Sequence, residues 1–414
     1  MKAVVFHAVG DVRLDDVPEP KLEAATDAIV RITASAICGT DLHMIRGSLP
    51  DMKPGSVLGH EGVGVVESFG NGVRNLVEGD RVVICSTIGC GACVYCRAGY
   101  YSQCDRANPN GPDAGTAFFG GPASSGPFHG LQAEKARIPF AHVTCVKLPD
   151  EVTDEQAILL SDIFPTAYFG AQLAEIRPGD CVAVFGCGPV GLFAIASAHM
   201  LGAGRVLAID DVQSRLEMAR AQGAEVVNFD EEDPLAAIRE LTGGSGVDRA
   251  IDAVGVDARR AHHGPAARQV NVAELERERA AVAPETHPDG DNWQPGDAPS
   301  QALSWAVDAL AKAGTLSIIG LYPDAARTFP IGKAMNRNLT VNMGICDHRR
   351  YVPELVEMTR SGRVDPVVIL TQREPLASAI DAYKAFDRRA SGWTKVELRS
   401  PGTNGQQPSA SHPV

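Results

Sequence analysis

The sequence predicts an α/β chain in two parts: an irregular β domain followed by an open, doubly wound parallel sheet. Three observations carry that expectation. Up to about residue 155 the chain is rich in glycine and in short β-branched runs (AIVRITAS, VGVVESFG, DRVVIC), separated by turn signals such as FGNGV and VEGD. From there the texture changes to strand–helix alternation: CVAVFG, PVGLFAIASAHMLGA, RVLAID, SRLEMARAQGA, VDRAIDAVG, TLSIIGLY and NLTVNMG. Strands alternating with helices of that length form parallel sheets. Finally, a glycine-rich turn stands where the first of these strands meets its helix.

The connecting elements follow in order. DEQAILLSDIFPTAYFGAQLAEI has helical spacing, with an interruption expected at Pro165. Between about Val256 and Ser300 the rhythm breaks into ARRAHHGPAARQ, a charged helical patch ELERERA, and PETHPDGDNWQPGDAPS. So long a connection is usually functional or mobile. The last stretch, PGTNGQQPSASHPV, reads as a disordered tail over 399–414.

Composition narrows the function. The chain has 414 residues, 44% of them hydrophobic, enough for a sizeable core. No apolar run approaches the roughly 20 residues that span a bilayer, and MKAVVFHAVGDVRLDD does not read as a signal peptide. A soluble, cytoplasmic protein without a membrane partner is expected. Thirty-eight basic against 51 acidic residues give a net charge of −13, which argues against a nucleic-acid partner. Four of the ten cysteines fall within residues 90–104, and in a cytosolic chain such a cluster points to metal.

The glycine turn reads Gly186-x-Gly188-x-x-Gly191, with Pro189 and Val190 opening the helix. Gly186 permits the tight turn, Gly188 lets the backbone approach a pyrophosphate, and Gly191 allows close helix packing. The next strand ends in RVLAIDD, placing Asp210 where an acid accepts hydrogen bonds from a ribose diol and repels a 2′-phosphate. NAD is therefore favoured over NADP. Arg215 either flanks the adenine ribose or is an ordinary exposed helix arginine.

Cys90, Cys93, Cys96 and Cys104 are spaced C-x2-C-x2-C-x7-C. Four thiolates on one loop close a tetrahedral shell around zinc and leave no open position, so this site is structural. An iron–sulfur cluster is the competing reading, but it needs redox partners of which the chain shows no sign. Two further segments hold potential ligands: AICGTDLHMIRG with Cys38, Thr40, Asp41 and His43, and VLGHEGVGVV with His60 and Glu61. Taken singly, Cys38 and His60 read as ordinary core residues.

Together, CGTDLH, GHEGVGVV, the four-cysteine lobe and GCGPVG stand in the order of the zinc-containing medium-chain alcohol dehydrogenases, which the chain resembles over roughly 1–255 and 300–398. The resemblance implies a GroES-like catalytic domain over 1–160, with its structural zinc lobe at 90–104. A Rossmann NAD-binding domain would cover 161–344, interrupted by the insertion 256–300, and 345–398 would return to the catalytic domain. It also implies two zinc ions per chain, one catalytic and one structural. Cys38 and His60 match two catalytic ligands. The usual third ligand is a cysteine, but Asp162 stands in its place, as in the glutathione-independent formaldehyde dehydrogenase branch. Glu61 is an alternate ligand or a supporting residue, and Asp41 either resembles the carboxylate that orients the ligand histidine or is a turn residue.

The chemistry implied is Lewis-acid activation of an alcohol, followed by hydride transfer to the nicotinamide. Thr40 would take the substrate proton and pass it through the cofactor ribose to His43, expected at the surface. Thr166 matches a position beside the nicotinamide ring. The family often has a basic residue for the pyrophosphate where this chain has Gly39; Lys395 or Arg337 either substitutes for it or is an ordinary exposed surface residue. The insertion resembles one that shields the dinucleotide in the formaldehyde dehydrogenase branch. The leading expectation is an NAD-dependent alcohol or aldehyde dehydrogenase, a formaldehyde dehydrogenase or aldehyde dismutase, working on a small molecule as a homotetramer or homodimer. A polyol or secondary-alcohol dehydrogenase is the alternative. A non-catalytic nucleotide-binding protein on the same fold would have lost the open site, and a zinc-independent quinone reductase fails on the same residues.

Overall fold

The structure, a computed structural model, describes residues 1–111 and 114–401. Most of the expected tail, from residue 402 on, lies outside the described residues. A six-stranded parallel sheet runs in the spatial order Glu225–Asn228, Arg205–Asp210, Cys181–Phe185, Val247–Asp252, Leu310–Ile318, Thr340–Met343. Numbered along the chain this is 3-2-1-4-5-6, the doubly wound Rossmann order, whose crevice lies at the carboxyl ends of the strands. Its central strands are unbroken apolar runs because helices cover both faces.

The β domain is built on a seven-stranded sheet centred on Ala28–Ile37 and Gly62–Phe69, with a small three-stranded sheet formed around Lys2–Ala8. The strand Val396–Arg399 pairs antiparallel with Ala28–Ile37, Val396 opposite Ile37, so this segment returns to the sheet of the β domain.

The helical stretch after residue 153 does break, though not at the proline. Helices Asp154–Leu160 and Ile163–Leu173 meet at Ser161 and Asp162, and Pro165 sits in the first turn of the second helix. There its missing N–H was not needed by the helix. The break instead frees Asp162, whose backbone is non-helical (φ −142°, ψ −66°), to turn its side chain inward.

Segment 256–300 folds as a strap. After the 3₁₀ turn Gly255–Asp257 come the short helices Gly264–Ala267 and Val272–Val282. The chain then crosses to the β domain, where Trp293 is buried among Val4, Phe6, Tyr383 and Phe386. The Trp293 amide donates to Asp387 Oδ2 at 2.8 Å, and Asn292 Nδ2 donates to the Lys384 carbonyl at 2.8 Å. The strap closes on itself through the Ala298 amide and the Ala258 carbonyl, 2.9–3.0 Å being the ordinary range and 3.0 Å the value here.

Candidate active site and metal centres

Cys38 ends the strand Ala28–Ile37 and caps the helix Gly39–Arg46. Asp41, in that helix's first turn, accepts the Cys38 amide at 3.0 Å through Oδ2, while its Oδ1 lies 3.2 Å from His60 Nδ1. One buried carboxylate thus lies against both neighbours. His60 follows Gly59, whose φ of +90° and close packing on Gln132 exclude a side chain. Asp162 completes the group: Oδ2 lies 3.2 Å from His60 Nε2 and 3.8 Å from Cys38 Sγ.

Donor atoms of Cys38, His60, Glu61 and Asp162 all lie within 4.8 Å of one another. His60 Nδ1, Asp41 Oδ1 and Glu61 Oε1 are buried without a hydrogen-bond partner. A thiol, an imidazole and the Asp162 carboxylate, with Glu61 beside them, form a donor set that fits a zinc ion, and three of them would leave a fourth position open. The electrostatics agree. Burial pushes the Cys38 thiol up, with His60 pulling against it. For Asp162 burial works against the charge, yet hydrogen bonds from His348 and His60 hold it well below the usual carboxylate range.

His348 was not anticipated. It opens the helix His348–Arg360, is 2% exposed, and places Nε2 2.7 Å from Asp162 Oδ1 and 3.3 Å from the Thr166 hydroxyl. Its Nδ1 lies 3.1 Å from the Thr87 hydroxyl. Nothing in GICDHRRY marks this histidine, because its partner is 186 residues away in sequence.

Three expectations need correction. His43 is buried rather than at the surface, because the strap's Asp257 covers it, Oδ2 lying 2.9 Å from His43 Nδ1. Lys395 does not face a pyrophosphate. It is fully buried and paired with Glu61, which raises its pKa although burial opposes the charge. Arg337 donates to the carbonyls of Val307, Asp308 and Leu310 at the end of the helix Gln301–Ala309, so it too is spent on structure.

A cavity of about 280 Å³ joins the donor cluster to the glycine turn. Thr40, His43 and Thr166 border it, as do Gly186, Gly188, Pro189 and Val190. Gly186 has φ +88°, and Gly188 caps the helix Pro189–Met200, whose N-terminus suits a phosphate. A Cβ on Gly191 would fall 1.8 Å from the Gly186 carbonyl oxygen. Asp210 is buried at this end and accepts the amides of Cys187, Asp211 and Val212 at 2.6–2.8 Å. Arg215 lines the same end, joined by two arginines the sequence did not single out, Arg259 and Arg389, each 3.4 Å from Asp211. Burial and the neighbouring Arg215 push Arg389 down to about 10.

The cysteine lobe is equally well formed. The four sulfurs of Cys90, Cys93, Cys96 and Cys104 lie within 4.8 Å of one another, and no cysteine of the chain is in a disulfide. The amides of Cys90, Cys93 and Cys96 point at the sulfurs of Cys104, Cys90 and Cys93 at 3.2–3.5 Å. Burial disfavours a Cys93 thiolate, yet backbone amides bring it down to about 7. Such a set fits a closed structural zinc. The lobe is anchored outward: Ser102 donates to Asp347 Oδ1 through both its amide and its hydroxyl, each at 2.8 Å.

Fold and site together define a two-domain, metal-binding dehydrogenase. Residues 24–150 match the family model described as alcohol dehydrogenase GroES-like domain, and 189–262 match that described as zinc-binding dehydrogenase. The chain is 38% identical over 403 residues to the zinc-type alcohol dehydrogenase-like protein AdhB of Bacillus subtilis, covering 96% of this chain and 100% of that one. It is 36% identical over 369 residues to the glutathione-independent formaldehyde dehydrogenase of Pseudomonas aeruginosa, covering 86% and 90%. The solved structure of alcohol dehydrogenase TADH from Thermus sp. ATN1 superposes with a TM-score of 0.77 at 35% identity, covering 97% and 100%. The chain belongs to the zinc-containing medium-chain alcohol dehydrogenase family and is an oxidoreductase of that type.

Proposed function

We propose that the protein interconverts small primary alcohols and aldehydes with NAD, formaldehyde being within its range. The observation that carries this reading is Asp162 standing with Cys38 and His60 at one end of the cavity, while the glycine turn and Asp210 stand at the other. A relative at 36% identity bears the name of a formaldehyde dehydrogenase, in keeping with an aspartate at this position. Adjacent carboxylates on Asp210 and Asp211 support NAD over NADP, since a 2′-phosphate would meet like charge.

In this reading Cys38, His60 and Asp162 hold a catalytic zinc, Glu61 waits beside it, and the four lobe cysteines hold a structural one. When bound, the metal supplies a Lewis acid that lowers the pKa of an alcohol and the nicotinamide supplies the hydride acceptor. The chain's own groups do the rest. Asp41 orients His60, and His348 orients Asp162. Thr40 takes up the alcohol proton and His43 receives it. Thr166, tied to Asp162 Oδ1 at 3.1 Å, borders the nicotinamide end of the cavity. Arg259 and Arg389 take the place expected of Lys395 and Arg337 as partners of the pyrophosphate. The strap slows cofactor exchange, which suits aldehyde dismutation.

A homo-oligomer, dimer or tetramer, is supported by the edge strand Thr340–Met343, beside which Met343, Ile331 and Met335 are 63–78% exposed. Among the described residues no helix is long and apolar enough to cross a membrane, and ten unpaired cysteines suit the cytoplasm.

The test is a substrate panel, following NADH with formaldehyde, primary alcohols, secondary alcohols and polyols, alongside zinc analysis. Formaldehyde turnover with two zinc ions per chain supports the reading. Activity confined to secondary alcohols or polyols would overturn the substrate assignment.

A further inference from the structure

Where the strap leaves the parallel sheet, four buried polar groups from three separate parts of the chain meet. Asp257 follows the strand Val247–Asp252 and reaches the helix Gly39–Arg46 of the β domain. Its Oδ2 lies 2.9 Å from His43 Nδ1 and 2.7 Å from Arg46 Nη1. Its Oδ1 accepts the Gly296 amide at 3.1 Å. Arg46 in turn donates through Nε to Asp387 Oδ1 at 2.9 Å. The Ser48 hydroxyl stands 3.2 Å from His43 Nδ1. His43, Arg46, Asp257 and Asp387 are each less than one-tenth exposed, yet His43 and Arg46 still border the main cavity.

The charges do not cancel while His43 is neutral. Two carboxylates then face one guanidinium, leaving one buried negative charge in excess, which is costly away from water. A proton on His43 brings the group to neutrality. The cluster is therefore organised in advance for an imidazolium at this position, with no rearrangement required when the charge appears.

Resting on the reading of His43 as the acceptor of the substrate proton, we infer that Asp257 is a positioning residue for that transfer. Its charge beside Nδ1, together with the Ser48 hydroxyl bonded there, keeps the proton on Nδ1, so that Nε2 is the basic nitrogen, and it offsets the charge when His43 is protonated. The alcohol's O–H proton ends on His43 Nε2 and its C–H hydride on the cofactor. Asp257 stays ionised throughout. The strap thereby has a part in the reaction in addition to its part in holding the domains together.

The experiment compares the zinc-loaded wild type with His43→Gln, Asp257→Asn and the double variant. Each single substitution is expected to lower kcat about tenfold, with KM for the alcohol within about twofold. The double variant is expected to be no slower than His43→Gln alone, because both act on one step. A second readout does not depend on turnover. In ¹⁵N-histidine spectra at alkaline pH, the ring signals missing from His43→Gln identify His43, and they should report the Nδ1–H tautomer in the wild type. In Asp257→Asn they should move toward Nε2–H. A further loss of kcat from Asp257→Asn in the His43→Gln background overturns the inference, and so does an unchanged tautomer. If Asp257→Asn does not fold, the wild-type spectrum decides alone, and Nε2–H there overturns it. An undiminished kcat in His43→Gln overturns instead the reading of His43 on which the inference rests.

Discussion

Lys395 and Glu61 form an ion pair that no solvent reaches, directly beside the metal-donor cluster. Lys395 also donates to the Ile37 carbonyl at 3.0 Å, so it ties the last strand to the turn that carries Cys38. Removing only the cation leaves Glu61 buried without a counter-charge and close to Asp162. Lys395→Met is expected to cost about 3–5 kcal/mol of stability, measured by urea unfolding of the zinc-loaded protein. A loss below about 1 kcal/mol would show that Glu61 is neutral or otherwise compensated.

Asp162→Ala removes one of the two carboxylate donors and leaves Cys38 and His60 with Glu61. Metal analysis should then find one zinc ion per chain instead of two, with activity lost and the circular dichroism spectrum unchanged. Full zinc content with unchanged turnover would sink the ligand assignment.

His348 holds the outer oxygen of Asp162 at 2.7 Å, and with it the direction of the inner one. His348→Ala should weaken the catalytic zinc by about 10–100-fold, read by competition with a chelator. The zinc of the cysteine lobe should be unaffected. Equal weakening at both sites would mean that the substitution had disturbed the fold rather than one ligand.

The strap should loosen in acid. Burial opposes the charge on Asp257, but His43 and Arg46 hold its carboxyl below the ordinary value of 3.8. A folded-state pKa below the unfolded one gives stability that is present above about pH 4 and lost as the pH falls beneath it. Unfolding free energies measured across that acid range should therefore fall less steeply for Asp257→Asn than for the wild type. Parallel slopes would contradict the pairing.

The residues that could be read from sequence share a physical property: each belongs to a pattern that is local in the chain. The glycine turn is six residues long, the cysteine lobe fifteen, and the alternation of strand and helix repeats along one half of the chain. Asp162 stands out only through the resemblance, which implies a ligand at its place. His348, Asp257 and Arg389 were missed because each works through a partner far away in sequence and carries no spacing of its own. The errors over Lys395 and Arg337 have the same root, since a basic residue shows its charge in the sequence but not which carbonyl or carboxylate uses it. His43 was misplaced because the segment that covers it is an insertion, and no periodicity says where an insertion lands.

Asp347 and His348 are neighbours in the chain that face opposite ways: one receives Ser102 from the cysteine lobe, the other grips Asp162. A two-residue step of backbone thus stands between the two donor clusters. If filling the lobe steadies Asp347, it steadies the aspartate ligand as well, and the two occupancies become thermodynamically linked. Reciprocity then requires that whatever factor the first ion adds to the affinity of the second, the second adds to the first. In that case the cysteine lobe would serve as an effector site, with a metal ion as its ligand and the metal affinity of the Asp162 cluster as its output.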